Sequence, residues 1–235
     1  MSDLISHAVR QVESRHRGWR YRTRIDPDEI RWMRSFLRPG DTAVDVGAYK
    51  GGYTYWMQQQ VGPSRQVYSF EPQPEAARFL RCAVRAVSWA NEPVEEAGLT
   101  ASRGRGTLRA PKGWPVAARV LVRRSGQSLD EFFSDHSAGP RVTLIKCDVE
   151  GHELDVFQGA EKTLTKDQPH LLLECEGRHR PSRSVVDVFA HLQKLGYRGS
   201  FFWNGKRLDV RDFDLARHQA EDRKPYVNNF LFEPV

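Results

Sequence analysis

The residues best suited by type and spacing to do chemistry begin with Val44-Asp45-Val46-Gly47-Ala48-Tyr49-Lys50-Gly51-Gly52. This segment follows a short apolar run, Thr42–Val46, and precedes a helical pattern, Tyr53–Gln60. Glycines at such a junction let the chain turn sharply and let a ligand touch the backbone. The helix start offers free N–H groups to a carboxylate. The spacing is D-x-G-x-x-x-G and lacks the close glycine of the G-x-G-x-x-G dinucleotide loop, which a pyrophosphate needs. An ordinary glycine-rich strand-to-helix turn has the same composition, and the segment alone does not separate the two readings.

A second segment, Ser69-Phe70-Glu71-Pro72, ends the next expected strand. An acidic side chain there can accept both hydroxyls of a ribose. Taken with the first loop, it points to an adenosine-type ligand without a phosphate. S-adenosylmethionine fits, because it carries an amino-acid end and a cationic sulfonium near which Asp45 would bring negative charge. The third segment is Ile145-Lys146-Cys147-Asp148-Val149-Glu150-Gly151-His152-Glu153, after a buried-strand pattern. Asp148 reads as a group that places substrate or removes a proton. Glu153 reads as an acidic residue facing a helix dipole.

These segments need elements to hold them. Residues Pro27–Arg38 read as a helix with Asp26 as its cap and Pro27 in its first turn. Strands at Thr42–Val46, Gln66–Phe70, Pro93–Leu99, Arg141–Cys147 and His170–Cys175 alternate with helices at Tyr53–Gln60, Pro74–Trp89 and Glu153–Thr165. The inner face of the second of these helices is expected to be Phe79, Leu80, Ala83, Val84 and Val87. Asp130 is expected to cap a short helix, Glu131–Ser134. A helix through Val185, Phe189, Leu192 and Leu195 stops at Gly196. Ser200–Trp203 and Lys206–Val210 flank the Asn204-Gly205 turn, and Asn228–Phe232 forms a last strand. The expected fold is α/β and doubly wound: a mostly parallel sheet of about seven strands, with helices on both faces and a C-terminal antiparallel strand. Residues 26–235 form one domain, with a basic hairpin inserted near 100–124. Residues 1–25 are an N-terminal extension, either a mobile helix over the site or, the reading the sequence favours, a solvated tail.

Composition sets outer limits. With 235 residues, 39% of them hydrophobic, the chain can build one sizeable core, which excludes wholesale disorder. There is no apolar run of about 18 residues to span a membrane and no apolar leader, so a cytoplasmic location is expected. Cys82, Cys147 and Cys175 sit in apolar runs and read as buried, inert thiols. The net charge of +6 is uneven. Gly98–Leu129 contains no acid but holds Arg103, Arg105, Arg109, Lys112, Arg119, Arg123 and Arg124, which reads as a solvated hairpin before a nucleic-acid surface.

Asp45–Thr54 (DVGAYKGGYT), Phe70–Pro74 (FEPQP), Ser128–Phe132 (SLDEF), Lys146–Ala160 (KCDVEGHELDVFQGA), Leu172–Glu174 (LLE) and Gly196–Tyr197 together resemble the FkbM family of methyltransferases, from about Asp41 to Phe232. The resemblance implies a class I, S-adenosylmethionine-dependent enzyme that O-methylates a sugar, glycan or secondary metabolite. It implies that Asp45, Gly47 and Gly51 line the methionine end of the cofactor and that Glu71 holds the ribose. Ala48, Tyr53 and Thr54 complete the expected cofactor set, with Ser102 on the adenine side. Asp148 and Glu150 would edge the reaction site. One departure stands out, because the family usually has Asn where this chain has Tyr49.

Such an enzyme aligns an acceptor oxygen with an already activated methyl, and alignment of that kind contributes roughly 7–11 kcal/mol. An aliphatic hydroxyl must also lose its proton. His152 is a candidate base, with Asp148 or Glu150 serving instead or orienting it. No third ligand accompanies Asp148 and Glu150, so no metal is expected. In the C-terminal part, Phe201, Phe202, Trp203, His218, Tyr226 and Asn228 are candidates to wall an acceptor pocket; Phe201 and Phe202 read rather as core, and Trp203 as freer to face a ligand.

The alternatives are a nicotinamide oxidoreductase, a nucleic-acid methyltransferase and a non-catalytic domain. The first lacks its glycine fingerprint. The second lacks the Asn-Pro-Pro-Tyr type of loop where Asp-Val-Glu-Gly stands. The expected partner is a small-molecule or glycan substrate, not nucleic acid.

Overall fold

The computed structural model describes residues 2–63, 66–87, 93–102, 104–105, 125–135, 140–178, 185–220, 222 and 224–235. The helices are α1 (Ser2–Arg20), α2 (Pro27–Phe36), α3 (Gly52–Val61), α4 (Pro74–Ala86), α5 (Leu129–Asp135), α6 (Glu153–Gln158), α7 (Glu161–Asp167), α8 (Val185–Lys194) and α9 (Leu215–His218). The strands are β1 (Ala43–Val46), β2 (Val67–Phe70), β3 (Val94–Glu95), β4 (Gly104–Arg105), β5 (Ser125–Gly126), β6 (Leu144–Cys147), β7 (His170–Glu174), β8 (Tyr197–Trp203), β9 (Lys206–Asp209) and β10 (Asn229–Pro234).

An eight-stranded sheet runs in the order β3-β2-β1-β6-β7-β10-β8-β9. It has eight strands where about seven are expected, and β9 pairs with β8 through the expected Asn204-Gly205 turn and forms the edge. The strands β3, β2, β1, β6 and β7 are parallel, and β10 is antiparallel to both β7 and β8. From β1 the chain winds out to β2 and β3, then crosses back to β6 on the other side of β1. The crevice above β1 and β6 is therefore the switch point where such sheets bind ligands.

Side chains alternate across the sheet. Val44, Val46, Ile145, Cys147, Leu171, Leu173, Phe230 and Phe232 enter one core. Ala43, Leu144, Leu172 and Leu231 enter the other, beneath Ile30, Met33 and Leu37 of the α2 segment and Tyr53 and Met57 of α3. Continuing that second row by two residues reaches Asp45, Lys146 and Glu174. In antiparallel β10 it reaches Asn229, which lies opposite Glu174. An apolar row thus ends in polar groups at the carboxyl tips, and this positions the site.

Several expectations are corrected. Residues 2–20 are a helix, not a solvated tail: α1 packs on α3 and α4. Trp56 donates from its indole to the Gly18 carbonyl at 2.7 Å, and a β-carbon on Gly18 would meet the Tyr55 ring at 2.3 Å. Tyr21–Ile25 continues α1 as a π-helical turn. Asp26 does not cap α2 through its side chain. The expected helix 153–165 is broken in two at Gly159, whose missing side chain admits the Thr100 carbonyl. Ser128 caps α5 reciprocally with Glu131, while Asp130 accepts from Lys162 and Thr163 at the start of α7. A carboxylate at that N-terminus satisfies donors that α7 cannot satisfy itself. On α4, Leu80, Ala83 and Val84 are buried as expected, but Phe79 and Val87 are only half-buried. Cys82 is exposed, in contrast to buried Cys147 and Cys175. Of the basic segment, Gly104–Arg105 and Ser125–Gly126 pair antiparallel, and residues 106–124 lie outside the described residues. Among the described residues no helix is long and apolar enough to cross a membrane.

Candidate active site

The loop after β1 is built around positive φ. Gly47 has φ +76°, and a β-carbon there would stand 1.8 Å from the Asp148 carbonyl oxygen, so no other residue fits without parting β1 from β6. Gly51, φ +78°, forms the left-handed step into α3. Ala48 is buried, and its N–H donates to the Phe70 carbonyl at 3.1 Å. Tyr49 has φ +47°, a region that Asn enters more readily than Tyr. Its side chain is exposed, while its backbone N–H donates to Glu71 Oε2 at 2.7 Å. The loop's grip on Glu71 therefore runs through the main chain, which accommodates the departure from Asn.

Glu71 is buried at the tip of β2, and its other oxygen accepts from the Gln73 N–H at 2.8 Å. Burial raises its pKa to about 7 against the pull of those two N–H groups. Asp45 is completely enclosed. Thr54 donates to its Oδ2 at 2.6 Å, but Oδ1 has no hydrogen-bond partner among the described residues. The nearest cation, Lys146 Nζ, is 3.9 Å away, within ion-pair range but beyond a hydrogen bond. Burial raises the Asp45 pKa, opposed by Lys146 and Thr54.

Lys146 is the centre of the arrangement. Its ammonium donates to Asp148 Oδ2 at 3.1 Å and lies 5.4 Å from the centroid of the Tyr53 ring. Burial works against its charge, but Asp148, Asp45 and Glu174 outweigh burial and hold its pKa above the ordinary value. Glu174, at the tip of β7, accepts from Asn228 Nδ2 at 2.7 Å. Burial and the facing Asp148 push its pKa up to about 8. Asp26 accepts from the Tyr53 hydroxyl and from Asn229 Nδ2, both at 2.9 Å. Tyr21 packs edge-on against Tyr53 at 5.5 Å and covers Gly52, where a β-carbon would meet its ring at 2.3 Å. The turn that ends α1 thus delivers a phenol to the same cluster.

The sequence-derived residues divide accordingly. Asp45, Gly47, Ala48, Gly51, Glu71 and Asp148 line the adjoining tips of β1, β2 and β6. Thr54 and Tyr53 have their hydroxyls committed to Asp45 and Asp26. Ser102 is exposed, and its carbonyl accepts from the Thr100 hydroxyl. Glu150 is exposed in the turn after β6 with φ +50°. His152 places Nδ1 3.2 Å from Asp155 Oδ2. Trp203 is partly buried, packing against buried His218 at 4.9 Å with the Arg217 guanidinium over its ring. Tyr226 donates to Glu176, whereas Asn228 reaches Glu174. Sequence reasoning missed Lys146, Glu174, Asp26 and Tyr21. A lysine inside the apolar run of β6 was the available signal, because a buried lysine requires carboxylate partners.

A mostly parallel sheet with this switch point, a glycine-built loop after β1 and a carboxylate at the tip of β2 define a class I methyltransferase fold. A model of the methyltransferase FkbM domain matches residues 45–198. The chain belongs to this S-adenosylmethionine-dependent family. Among solved structures it is similar to an FkbM methyltransferase from Methylobacillus flagellatus KT, with TM-score 0.55 and 17% identity over 82% of this chain. The chain spans 43% of the length of that protein. It is also similar to a putative rRNA-methylase from Clostridium thermocellum, with TM-score 0.54 and 10% identity, covering 89% of this chain and 94% of that one. A putative methyltransferase from Streptococcus mutans in complex with SAH gives TM-score 0.52 and 10% identity, covering 88% and 96%. At these identities the likeness concerns the fold.

Proposed function

We propose that this chain transfers a methyl group from S-adenosylmethionine to a hydroxyl of a sugar, glycan or secondary metabolite. The reading rests on one observation above all. The tips of β1, β6 and β7 carry Asp45, Asp148 and Glu174 around the buried Lys146 ammonium, with one Asp45 oxygen unbonded among the described residues.

The residues fit the cofactor. An ammonium donor is the partner that Asp45 Oδ1 lacks, and the amino-acid end of S-adenosylmethionine carries one. Gly47 and Gly51 leave the loop backbone open, and Glu71 offers two carboxylate oxygens to a ribose. When bound, S-adenosylmethionine supplies a methyl already activated on a sulfonium. Thr54 and Tyr53 are positioning residues, because their hydroxyls hold Asp45 and Asp26. Ser102 is retained as the adenine-side candidate.

On the acceptor side, Glu174 is the group best suited to take a hydroxyl proton, since burial already favours its protonated form. Asp148 edges the site and strengthens the hold of Glu174 on that proton, while Lys146 weakens it. His152, oriented by Asp155, is the other candidate base, with Glu150 on the same turn.

The test is calorimetric titration with S-adenosylhomocysteine, followed by transfer of labelled methyl to a panel of sugars, nucleotide sugars and hydroxylated metabolites. Saturable binding and alkali-stable methyl ethers are expected. Folded protein without affinity for S-adenosylhomocysteine would overturn the reading, and methylation of RNA bases alone would replace its acceptor.

A further inference from the structure

A groove between the π-helical turn and α2 is lined by three arginines, two of which have no balancing carboxylate among the described residues. It has a volume of about 410 Å³ and is lined by Arg22, Pro27, Ile30, Arg31, Arg34 and Ser35. Beside it, the indole of Trp56 carries two guanidiniums, Arg22 at 5.2 Å and Arg34 at 4.9 Å from the ring centroid. Arg31 is paired with Asp28. Among the described residues, Arg22 and Arg34 have no carboxylate within ion-pair distance. The Nε of Arg34 is buried and has no hydrogen-bond partner among those residues.

Aromatic stacking can hold a guanidinium in place but does not neutralise it. Two such groups on one ring repel each other, and burial together with Arg22 lowers the Arg34 pKa. A tetrahedral oxyanion in the groove would relieve that repulsion, because planar guanidinium forks match phosphate oxygens in pairs. The volume falls in the range of small-molecule sites. The groove also adjoins the candidate active site through the chain itself. Arg22 follows Tyr21, whose ring lies on Gly52 at the start of α3.

We propose that this groove binds the phosphate group of a small molecule, held by Arg22 and Arg34 with Arg31 at the rim. The proposal stands independently of the methyl-transfer reading. Two sources share the chemistry, a phosphate carried by the methyl acceptor and a free phosphate metabolite.

The test is calorimetric titration of the full chain with inorganic pyrophosphate and, separately, with uridine diphosphate. Saturable binding of one equivalent is expected. Arg22→Gln/Arg34→Gln should weaken it by roughly tenfold or more, since two charge-assisted bonds are lost. Arg78→Gln/Arg85→Gln removes the same charge from exposed positions of α4 and should leave affinity unchanged. Arg34→Lys keeps the charge but loses the fork, and should bind several-fold more weakly. An unchanged urea-unfolding midpoint in the Arg22/Arg34 variant would show that its fold is intact. Absence of saturable binding to either probe, or equal binding by wild type and the Arg22/Arg34 variant, would overturn the proposal, as would full affinity in Arg34→Lys. Competition between pyrophosphate and a phosphorylated acceptor in the transfer assay would assign the site to the acceptor. Binding without competition would assign it to a free metabolite.

Discussion

Gly47 and Asp148 adjoin so closely at the tips of β1 and β6 that a β-carbon on Gly47 would stand 1.8 Å from the Asp148 carbonyl oxygen. The loop after β1 and the segment after β6 therefore meet backbone to backbone. Gly47→Ala should destabilise the fold by about 1–3 kcal/mol, because that overlap forces the strands apart and the positive φ adds its own cost. Urea unfolding would measure the loss, and calorimetry should show weakened S-adenosylhomocysteine binding in the variant that remains folded. An alanine variant with wild-type affinity would mean that the two tips move independently.

Glu71 keeps its proton up to about pH 7 when no ligand is bound. Ribose hydroxyls donate best to the ionised carboxylate, so ligand binding selects the deprotonated form. Affinity for S-adenosylhomocysteine should rise as pH increases through about 7 and then level off. Glu71→Gln should remove that dependence and cost roughly 1.5–3 kcal/mol of binding at high pH. A wild-type affinity that does not change between pH 5 and 8 would remove Glu71 from the ribose contact.

Glu174 and His152 can be told apart by rate. A base must be ionised before it accepts a proton, and Glu174 is held protonated up to about pH 8. With Glu174 as base, kcat rises with pH through about 8, and Glu174→Gln lowers kcat by roughly 10²–10⁴ and abolishes that rise while leaving cofactor affinity intact. His152→Ala should then change kcat little. The reverse pattern, a large loss in His152→Ala with the pH limb preserved in Glu174→Gln, would make the imidazole the base.

Lys146 compensates carboxylates at the tips of three strands, of which Asp45 is fully buried. Lys146→Met keeps much of the volume but leaves those charges unpaired, and should destabilise the chain by about 3–5 kcal/mol. Lys146 also lowers the Glu174 pKa, so the pH limb of any residual activity should move upward. The urea midpoint and the pH profile of kcat check the two effects separately, and a variant as stable as wild type would show that the carboxylates are already neutral in the folded state.

Local pattern made the frame readable. The apolar tetrads of β1, β2 and β6 and the helices between them mark a parallel sheet, because strands covered on both faces must be apolar throughout. The loop from Asp45 to Gly52 and Glu71 announced themselves by residue type at strand ends. Tyr49 was readable as a departure, although only its φ of +47° explains why Asn suits that position. The N-terminal segment resembles a tail in sequence because its apolar residues are sparse and irregularly spaced. Its fit depends on Gly18 under Tyr55 and on Tyr21 over Gly52, contacts that no periodicity within α1 encodes.

What the sequence by itself determined was the order of the sheet strands and of the helices between them, the bends that only glycine allows, and the carboxylates standing where strands end. Those properties are local, set by backbone sterics and by the burial of short apolar runs. Only the tertiary structure decided which charges meet. Lys146 finds Asp45 across one strand and Asp148 along its own, Glu174 takes Asn228 from a distant segment, and Asp26 joins Tyr53 to Asn229. The physical reason is that a charge's behaviour is set by its neighbours within a few ångströms and by the exclusion of water around them, and both arise only when remote parts of the chain close over one sheet edge.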